Sequence, residues 1–153
     1  MKLKKGSKAP AFTVSDQDGN MVSLSDFKGK KVALFFYPKD NTPTCTQEAC
    51  NLRDNISLLK KKGIVVLGIS IDSVKKHKNF EKKFSLPFPL LADEDQKIVN
   101  AYGVWDWKTT FGITYMGTLR TTFLINEEGK IDHIIDKVES KNHAGQIVAA
   151  WGL

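Results

Sequence analysis

"KKVALFFYPKDNTPTCTQEAC", Lys30 to Cys50, decides how this chain folds. Lys30–Pro38 is a continuous apolar run stopped by proline, the pattern of a strand buried on both faces. A helical period then takes over. Cys45, Ala49, Leu52, Ile56 and Leu59 are spaced 4, 3, 4 and 3, which is one face of an α-helix. The spacing predicts a helix over about Thr44 to Lys62, with Cys45 in its first turn. Two registers give that placement. In one, Thr42 caps and Pro43 takes the first helical position. In the other, Thr44 caps, with Gln47 completing a capping box.

Outward from this unit the pattern repeats. "TVSDQDGNMVSL" is a hairpin signal around Asp-Gly. "GIVVLGISID" reads as a second buried strand, and Ser73 to Phe84 as a second helix. "FPLLAD" is a short strand, and Asp95 to Tyr102 a short helix. "LRTTFLIN" and "KIDHIIDKV" form an antiparallel hairpin across "EEG", and Ser140 to Trp151 a closing helix. The order predicts an α/β sandwich in one domain, 1–153. Its central mixed sheet carries helices on both faces, an antiparallel edge and an N-terminal hairpin. Chemistry in such sheets gathers beyond the carboxyl ends of the parallel strands, where the Pro38–Cys45 segment lies.

Composition narrows the classes. The 153 residues are 41% hydrophobic and 26% charged, ordinary for a globular chain. No apolar run reaches the length of a membrane span. "MKLKKGSKAPAF" lacks the apolar core of a signal peptide, so a cytoplasmic protein is expected, where disulfides are transient rather than structural. The net charge is +6, almost all lysine: Arg53 and Arg120 are the only arginines among 23 basic residues. The lysines are scattered without aromatic stacking motifs, a solvated surface rather than a nucleic-acid face.

Both cysteines sit in the quoted stretch. A cysteine at a helix N-terminus meets unpaired N–H groups and the positive end of the dipole. Such surroundings bring a thiol pKa from about 8.5 into the range of roughly 3.5–7.5, and the thiolate is the nucleophile. By position alone Cys45 reads equally as a small buried apolar residue. Cys50 adds a constraint. Five helical residues separate the Cα atoms by ~8.7 Å, beyond the ~7 Å that a disulfide spans. The pair is a poor staple in an intact helix but suits a switch in which the first turns unwind. A zinc site needs more ligands than this pair, and His77, His133 and His143 are scattered in sequence. No metal or cofactor is expected. Pro38 reads as a strand terminator or a shield for the loop. Thr42 reads as a cap or a hydroxyl donor.

These residues resemble a known family. "PKDNTPTC" fits the P-x-x-x-T-x-x-C motif of the peroxiredoxins, with Pro38, Thr42 and Cys45 in the matching places. The second cysteine five residues on is similar to the bacterioferritin comigratory protein, or peroxiredoxin Q, branch. "KAPAF", "GISIDS", "LPFPLLAD", "YGVW" and "LRTTFLINEEGKI" extend the likeness over nearly the whole chain. The resemblance implies a thioredoxin-like fold and a monomeric thiol peroxidase. It makes Cys45 the peroxidatic cysteine, Cys50 the resolving partner in a Cys45–Cys50 disulfide, and thioredoxin or a similar dithiol protein the reductant. Thr42 and Arg120 would hold the peroxide oxygens, and Glu48 would orient Arg120 or else be an exposed helix residue. The family usually has glycine before the peroxidatic cysteine. Thr44 keeps the backbone N–H and adds a side chain at the mouth of the site. The aromatic segment Tyr102–Tyr115 is expected mainly to cover the sheet edge and pack the core, with Trp105 and Phe111 as further site candidates. A redox-sensing interaction protein or holdase using the same disulfide is the alternative.

Overall fold

The computed structural model describes residues 2–153. Among the described residues, nine strands and five α-helices follow in order: β1 Thr13–Ser15, β2 Met21–Ser23, β3 Lys31–Phe36, α1 Pro43–Asp54, α2 Ile56–Lys61, β4 Ile64–Ser70, α3 Val74–Phe84, β5 Leu90–Ala92, α4 Lys97–Ala101, β6 Trp105–Thr110, β7 Ile113–Thr118, β8 Thr121–Ile125, β9 Ile131–Ile135 and α5 His143–Trp151. The central sheet has the order β5-β4-β3-β8-β9. β3, β4 and β5 are parallel; β8 is antiparallel to β3, and β9 antiparallel to β8. The expected mixed α/β sandwich is present.

β3 explains the two cores. Val32, Leu34 and Phe36 point to one face and Ala33, Phe35 and Tyr37 to the other, the period of two that a strand imposes. The two parallel crossovers step the same way along the sheet, so right-handed connections put their helices on one face. Cys45, Ala49 and Leu52 of α1, Leu59 of α2 and Phe80 of α3 pack there, joined by Ala144 and Ile147 of α5. The other face is covered by Phe12, Val22, α4 through Ile98 and Val99, and Tyr102. Gly68 in β4 is required by packing: a Cβ there would lie 2.8 Å from the Phe35 ring.

Two features differ from the sequence reading. The long helix of residues 44–62 is broken at Asn55, where the Nδ2 group donates to the Asn51 carbonyl at 2.8 Å. That carbonyl is the one a continuous helix would offer to the Asn55 N–H, which turns to Leu52 instead. The aromatic segment is a separate two-stranded ribbon, β6–β7, rather than a cover for the sheet. Tyr102 is buried and Trp105 packs against the core, but Trp107, Phe111 and Tyr115 are exposed. The ribbon turns on Phe111-Gly112 with φ of 51° and 77°. Positive φ at both centres is the tight hairpin geometry that Asn-Gly normally serves, so the sequence carried no familiar turn signal.

Phe111 is 99% exposed and holds a left-handed backbone without packing in return. Phe111→Asn is expected to stabilise the ribbon by about 1 kcal/mol. Amide exchange across residues 105–118 should slow. Unchanged or faster exchange would show that the phenyl ring stabilises the turn.

Candidate active site

Sheet register assembles the site. Phe36 at the end of β3 pairs with Thr121 at the start of β8. The residue before Thr121 is Arg120, so the guanidinium starts beside the point where β3 leaves the sheet and the chain bends into α1. Asn41, at φ 61°, makes the bend, Thr42 is the N-cap and Pro43 the first helical residue. The first of the two registers read from sequence is therefore the one adopted. Cys45 falls in the first turn and is 1% exposed.

Cys45 and Glu48 are three residues apart on one helix and present to the same side. Arg120 reaches both. Its Nη2 donates to Cys45 Sγ at 3.2 Å and its Nη1 to Glu48 Oε1 at 2.7 Å. Glu48 is fully buried, which settles the choice between an exposed helix residue and the partner of Arg120. Burial would make the Arg120 guanidinium easier to deprotonate, but the charges of Cys45 and Glu48 outweigh it and hold the cation more firmly than usual. Desolvation pushes the Glu48 carboxyl up to about 7, against the opposing pull of Arg120.

Thr42 is not hydrogen-bonded to the cysteine. Its hydroxyl donates to the Lys39 carbonyl at 2.9 Å, which leaves its oxygen as an acceptor. Pro38 is part-buried between β3 and this loop, and Thr44 is exposed. Phe111 lies at the ribbon turn, exposed to solvent; Trp105 belongs to the edge of the core. Cys50 is part-buried on the same continuous helix as Cys45, and both thiols are free. Among the described residues no helix is long and apolar enough to cross a membrane.

Two polar clusters were missed in the sequence. The first anchors the loop ahead of Cys45. Tyr37 donates to Asp40 Oδ1 at 2.6 Å, and His77 Nδ1 lies 2.6 Å from Asp40 Oδ2. The Asp40 N–H and the Ser70 hydroxyl donate to Asp72. Burial first, then the Asp40 charge, pushes the Tyr37 phenol well above its usual value and keeps it a donor. His77 Nε2 meets the Leu91 carbonyl at 2.9 Å. That oxygen only accepts, so Nε2 carries a proton and Nδ1 turns to the Asp40 carboxyl. The ligand atoms of Asp40, Asp72 and His77 lie within 4.8 Å of one another, already engaged in these bonds. The second cluster joins α5 to the site: His143, wholly buried, contacts Thr122 at 2.7 Å, Gln146 at 2.8 Å and Glu48 Oε2 at 3.5 Å. His77 is distant in sequence from Asp40 and Leu91, and His143 from Thr122 and Glu48, so only the fold brings these groups together.

Comparisons with known proteins show the family. Residues 5–134 match the AhpC/TSA family. The chain is a peroxiredoxin of that family. A Coxiella burnetii relative is 53% identical over 148 residues, covering 97% of this chain and 98% of its own. Peroxiredoxin Bcp of Escherichia coli K12 is 48% identical, covering 97% and 95%. A Xylella fastidiosa PrxQ mutant superposes with a TM-score of 0.92 at 28% identity, covering 99% and 97%. The Xanthomonas campestris bacterioferritin comigratory protein, whose alkyl peroxide reduction activity has been studied structurally, gives 0.86 at 34%, covering 92% and 89%. The thioredoxin-like peroxiredoxin fold and the peroxiredoxin Q likeness read from the sequence both hold.

Burying Glu48 makes stability depend on pH in a set direction. Between its ordinary value of 4.5 and about 7 the folded chain keeps a proton that the unfolded chain has lost. The contribution of Glu48 is therefore full at low pH and is lost as pH rises through 7. His143, pushed by burial to about 4 from 6.5, works oppositely, its contribution fading as pH falls through that interval. Glu48→Gln removes the first effect and keeps the second. The stability of the variant relative to the parent should improve by about 3 kcal/mol in urea unfolding between about pH 5 and about pH 8. A flat difference would mean that Glu48 is ionised throughout.

Proposed function

We propose that this peroxiredoxin reduces hydrogen peroxide and organic hydroperoxides with Cys45 as the attacking thiolate and Cys50 as the resolving thiol. It would work as a cytoplasmic monomer recharged by thioredoxin or a similar dithiol protein. The observation that carries the reading is the Arg120 fork, which touches Cys45 Sγ at 3.2 Å while anchored on the buried Glu48 carboxyl.

The cation and the open end of α1 favour negative charge on the sulfur. The sulfur attacks the terminal oxygen of R–O–O–H. The S–O bond forms as the O–O bond breaks, the hydroxyl stays on sulfur as a sulfenic acid, and the alkoxide leaves to take up a proton as alcohol or water. Negative charge shifts from sulfur to the departing oxygen within reach of the same guanidinium and of the first-turn N–H groups, so the donors need little reorganisation. The Thr42 oxygen, with its own proton committed to Lys39, is set to accept a bond from the peroxide hydroxyl. Cys50 then attacks the sulfenic sulfur, expelling water and forming the disulfide. Since α1 holds the two Cα atoms ~8.7 Å apart, its first turns must unwind. The break at Asn55 confines that unwinding to α1.

In rapid-mixing assays Cys45→Ser should lose all reaction with peroxide. Cys50→Ser should reduce one equivalent and then stall as a sulfenic acid that dimedone captures. Arg120→Ala should slow the first step about a hundredfold. Identical first turnovers in the two cysteine variants would overturn the roles. NADPH-coupled turnover with thioredoxin and its reductase tests the reductant. Consumption of only one equivalent would indicate a sensor rather than a catalyst.

Asn55→Ala removes the bond that divides the helices. Fused to α2, α1 should unwind less readily, and disulfide formation after a peroxide pulse should slow severalfold with the peroxide step unchanged. Equal resolving rates would show that the break has no part in the cycle.

A further inference from the structure

The buried face of Glu48 that Arg120 does not use poses a problem of charge. Among the described residues Glu48 Oε2 has no hydrogen-bond partner, although the side chain is fully buried. A carboxylate oxygen left bare in a dry niche is costly. Its polar neighbour is His143 Nε2 at 3.5 Å.

The protonation of His143 follows from its other contacts. Gln146 is fixed in one orientation: its Oε1 accepts from the Glu139 N–H at 2.9 Å and its Nε2 donates to the Lys137 carbonyl at 2.9 Å. A flipped amide would set donor against donor and acceptor against acceptor. The same Oε1 lies 2.8 Å from His143 Nδ1, which must therefore carry a proton. The neutral ring then has its single lone pair at Nε2, which takes the Thr122 hydroxyl at 2.7 Å, with Glu48 Oε2 beside it at 3.5 Å. An ionised Glu48 would set a bare carboxylate oxygen against the electron-rich side of the ring. A proton on Oε2 removes that repulsion.

We propose that Glu48 keeps a proton on Oε2, on the side that faces His143 Nε2, and that this proton is balanced against that of the Cys45 thiol through Arg120, the cation both acids share. The proposal rests on Cys45 being the attacking sulfur only for its use in catalysis; the titration itself does not need that role. The groups facing Glu48 are Cys45 on its own helix, Arg120 ahead of β8 and His143 on α5. Thr122 of β8 competes for the Nε2 lone pair. With both acids ionised the niche would hold two anions and one cation. When the S–H bond of Cys45 breaks and an O–H bond forms on Glu48, sulfur keeps the electron pair and the count stays at one anion and one cation. Nothing is oxidised, and the proton can travel by solvent because the shared charge does the coupling. Burial places the proton on Glu48, at about 7, rather than on His143, at about 4. Glu48 and His143 are thus positioning residues that set how much of the Arg120 charge reaches sulfur.

The test is an NMR titration of the reduced protein with 13C-labelled glutamate carboxyls and 15N-labelled histidine. In the parent, the Glu48 carboxyl should titrate near 7 and His143 should stay neutral, with its proton on Nδ1, through that range. Thr122→Val leaves Nε2 to Glu48 alone and should raise the midpoint by about half a pH unit. His143→Phe removes the acceptor and should lower it by about one unit. Cys45→Ser removes the competing anion and should lower it by about one unit, since Arg120 then serves the carboxylate alone. A Glu48 titrating with ordinary carboxylates, an imidazolium at His143 near neutrality, or a Cys45→Ser midpoint equal to the parent's would each overturn the proposal. Thr122→Val keeps side-chain volume and preserves the test if His143→Phe does not fold. In the folded variants, equal shifts in one direction would also overturn it. Peroxide consumption by the parent is measured separately, so its absence would count against the enzymatic reading and leave the titration standing.

Discussion

The site depends on a single guanidinium shared by two acids. Arg120 offers Nη1 to a carboxylate and Nη2 to a sulfur, which a lysine, with one point of charge, cannot do in fixed geometry. Much of the fold serves that contact. The spacing of Cys45 and Glu48 puts both on one side of α1. The pairing of Phe36 with Thr121 sets the start of β8 against the end of β3, so the helix and its cation meet where the sheet stops. Arg120 is held from behind as well. The Leu119 N–H donates to the Val104 carbonyl at 2.7 Å and closes the base of the β6–β7 ribbon, and the Thr121 hydroxyl donates to the Leu119 carbonyl.

α1 is tied to its surroundings on one side and released on the other. Asn51 clamps it to α5: Nδ2 donates to the Lys141 carbonyl and Oδ1 accepts from the Ala144 N–H. Its downstream end is cut at Asn55 by a side chain that takes a carbonyl from the ladder. Leu52, wholly buried, would cost about 2–5 kcal/mol if truncated to alanine. The resulting unit is anchored at its middle and divided from α2. Its first turns hold both sulfurs and have the weakest backbone attachment, since a helix begins with unpaired N–H groups.

The parts of this arrangement that could be read from sequence are those carried by local period. β3 announces itself because both its faces are apolar, and α1 because Cys45, Ala49 and Leu52 recur on one stripe. The family motif is local as well, so Pro38, Thr42 and Cys45 were visible with the family likeness. What escaped was set by distant pairing. His143 reaches Glu48 only because α5 folds back over the face that α1 covers, and His77 reaches Asp40 only because α3 lies beside the same loop. Neither leaves a trace in spacing. The ribbon was missed because Phe111-Gly112 supplies a turn usually written Asn-Gly. The break at Asn55 was missed because an asparagine in a helical pattern is tolerated as often as it interrupts.

The charge on sulfur also links chemistry to movement. In the proposed cycle the thiolate holds Arg120 in place, and Arg120 in turn holds Glu48 in its niche. Once sulfur gains oxygen it loses the negative charge, and the attraction between Arg120 and the first turn weakens at the moment that turn must open. With the competing anion gone, Arg120 serves the Glu48 carboxyl alone and favours its ionised form, so negative charge passes from sulfur to a carboxyl three residues along the same helix. Unwinding α1 through Cys50 must then part Glu48 from Arg120, a cost offset by the return of a buried carboxylate to water. Oxidation therefore frees the first turn at Cys45 while Glu48 keeps the next turn tied to Arg120, and the distance fixed by helix geometry is crossed where the first of these attachments has been lost.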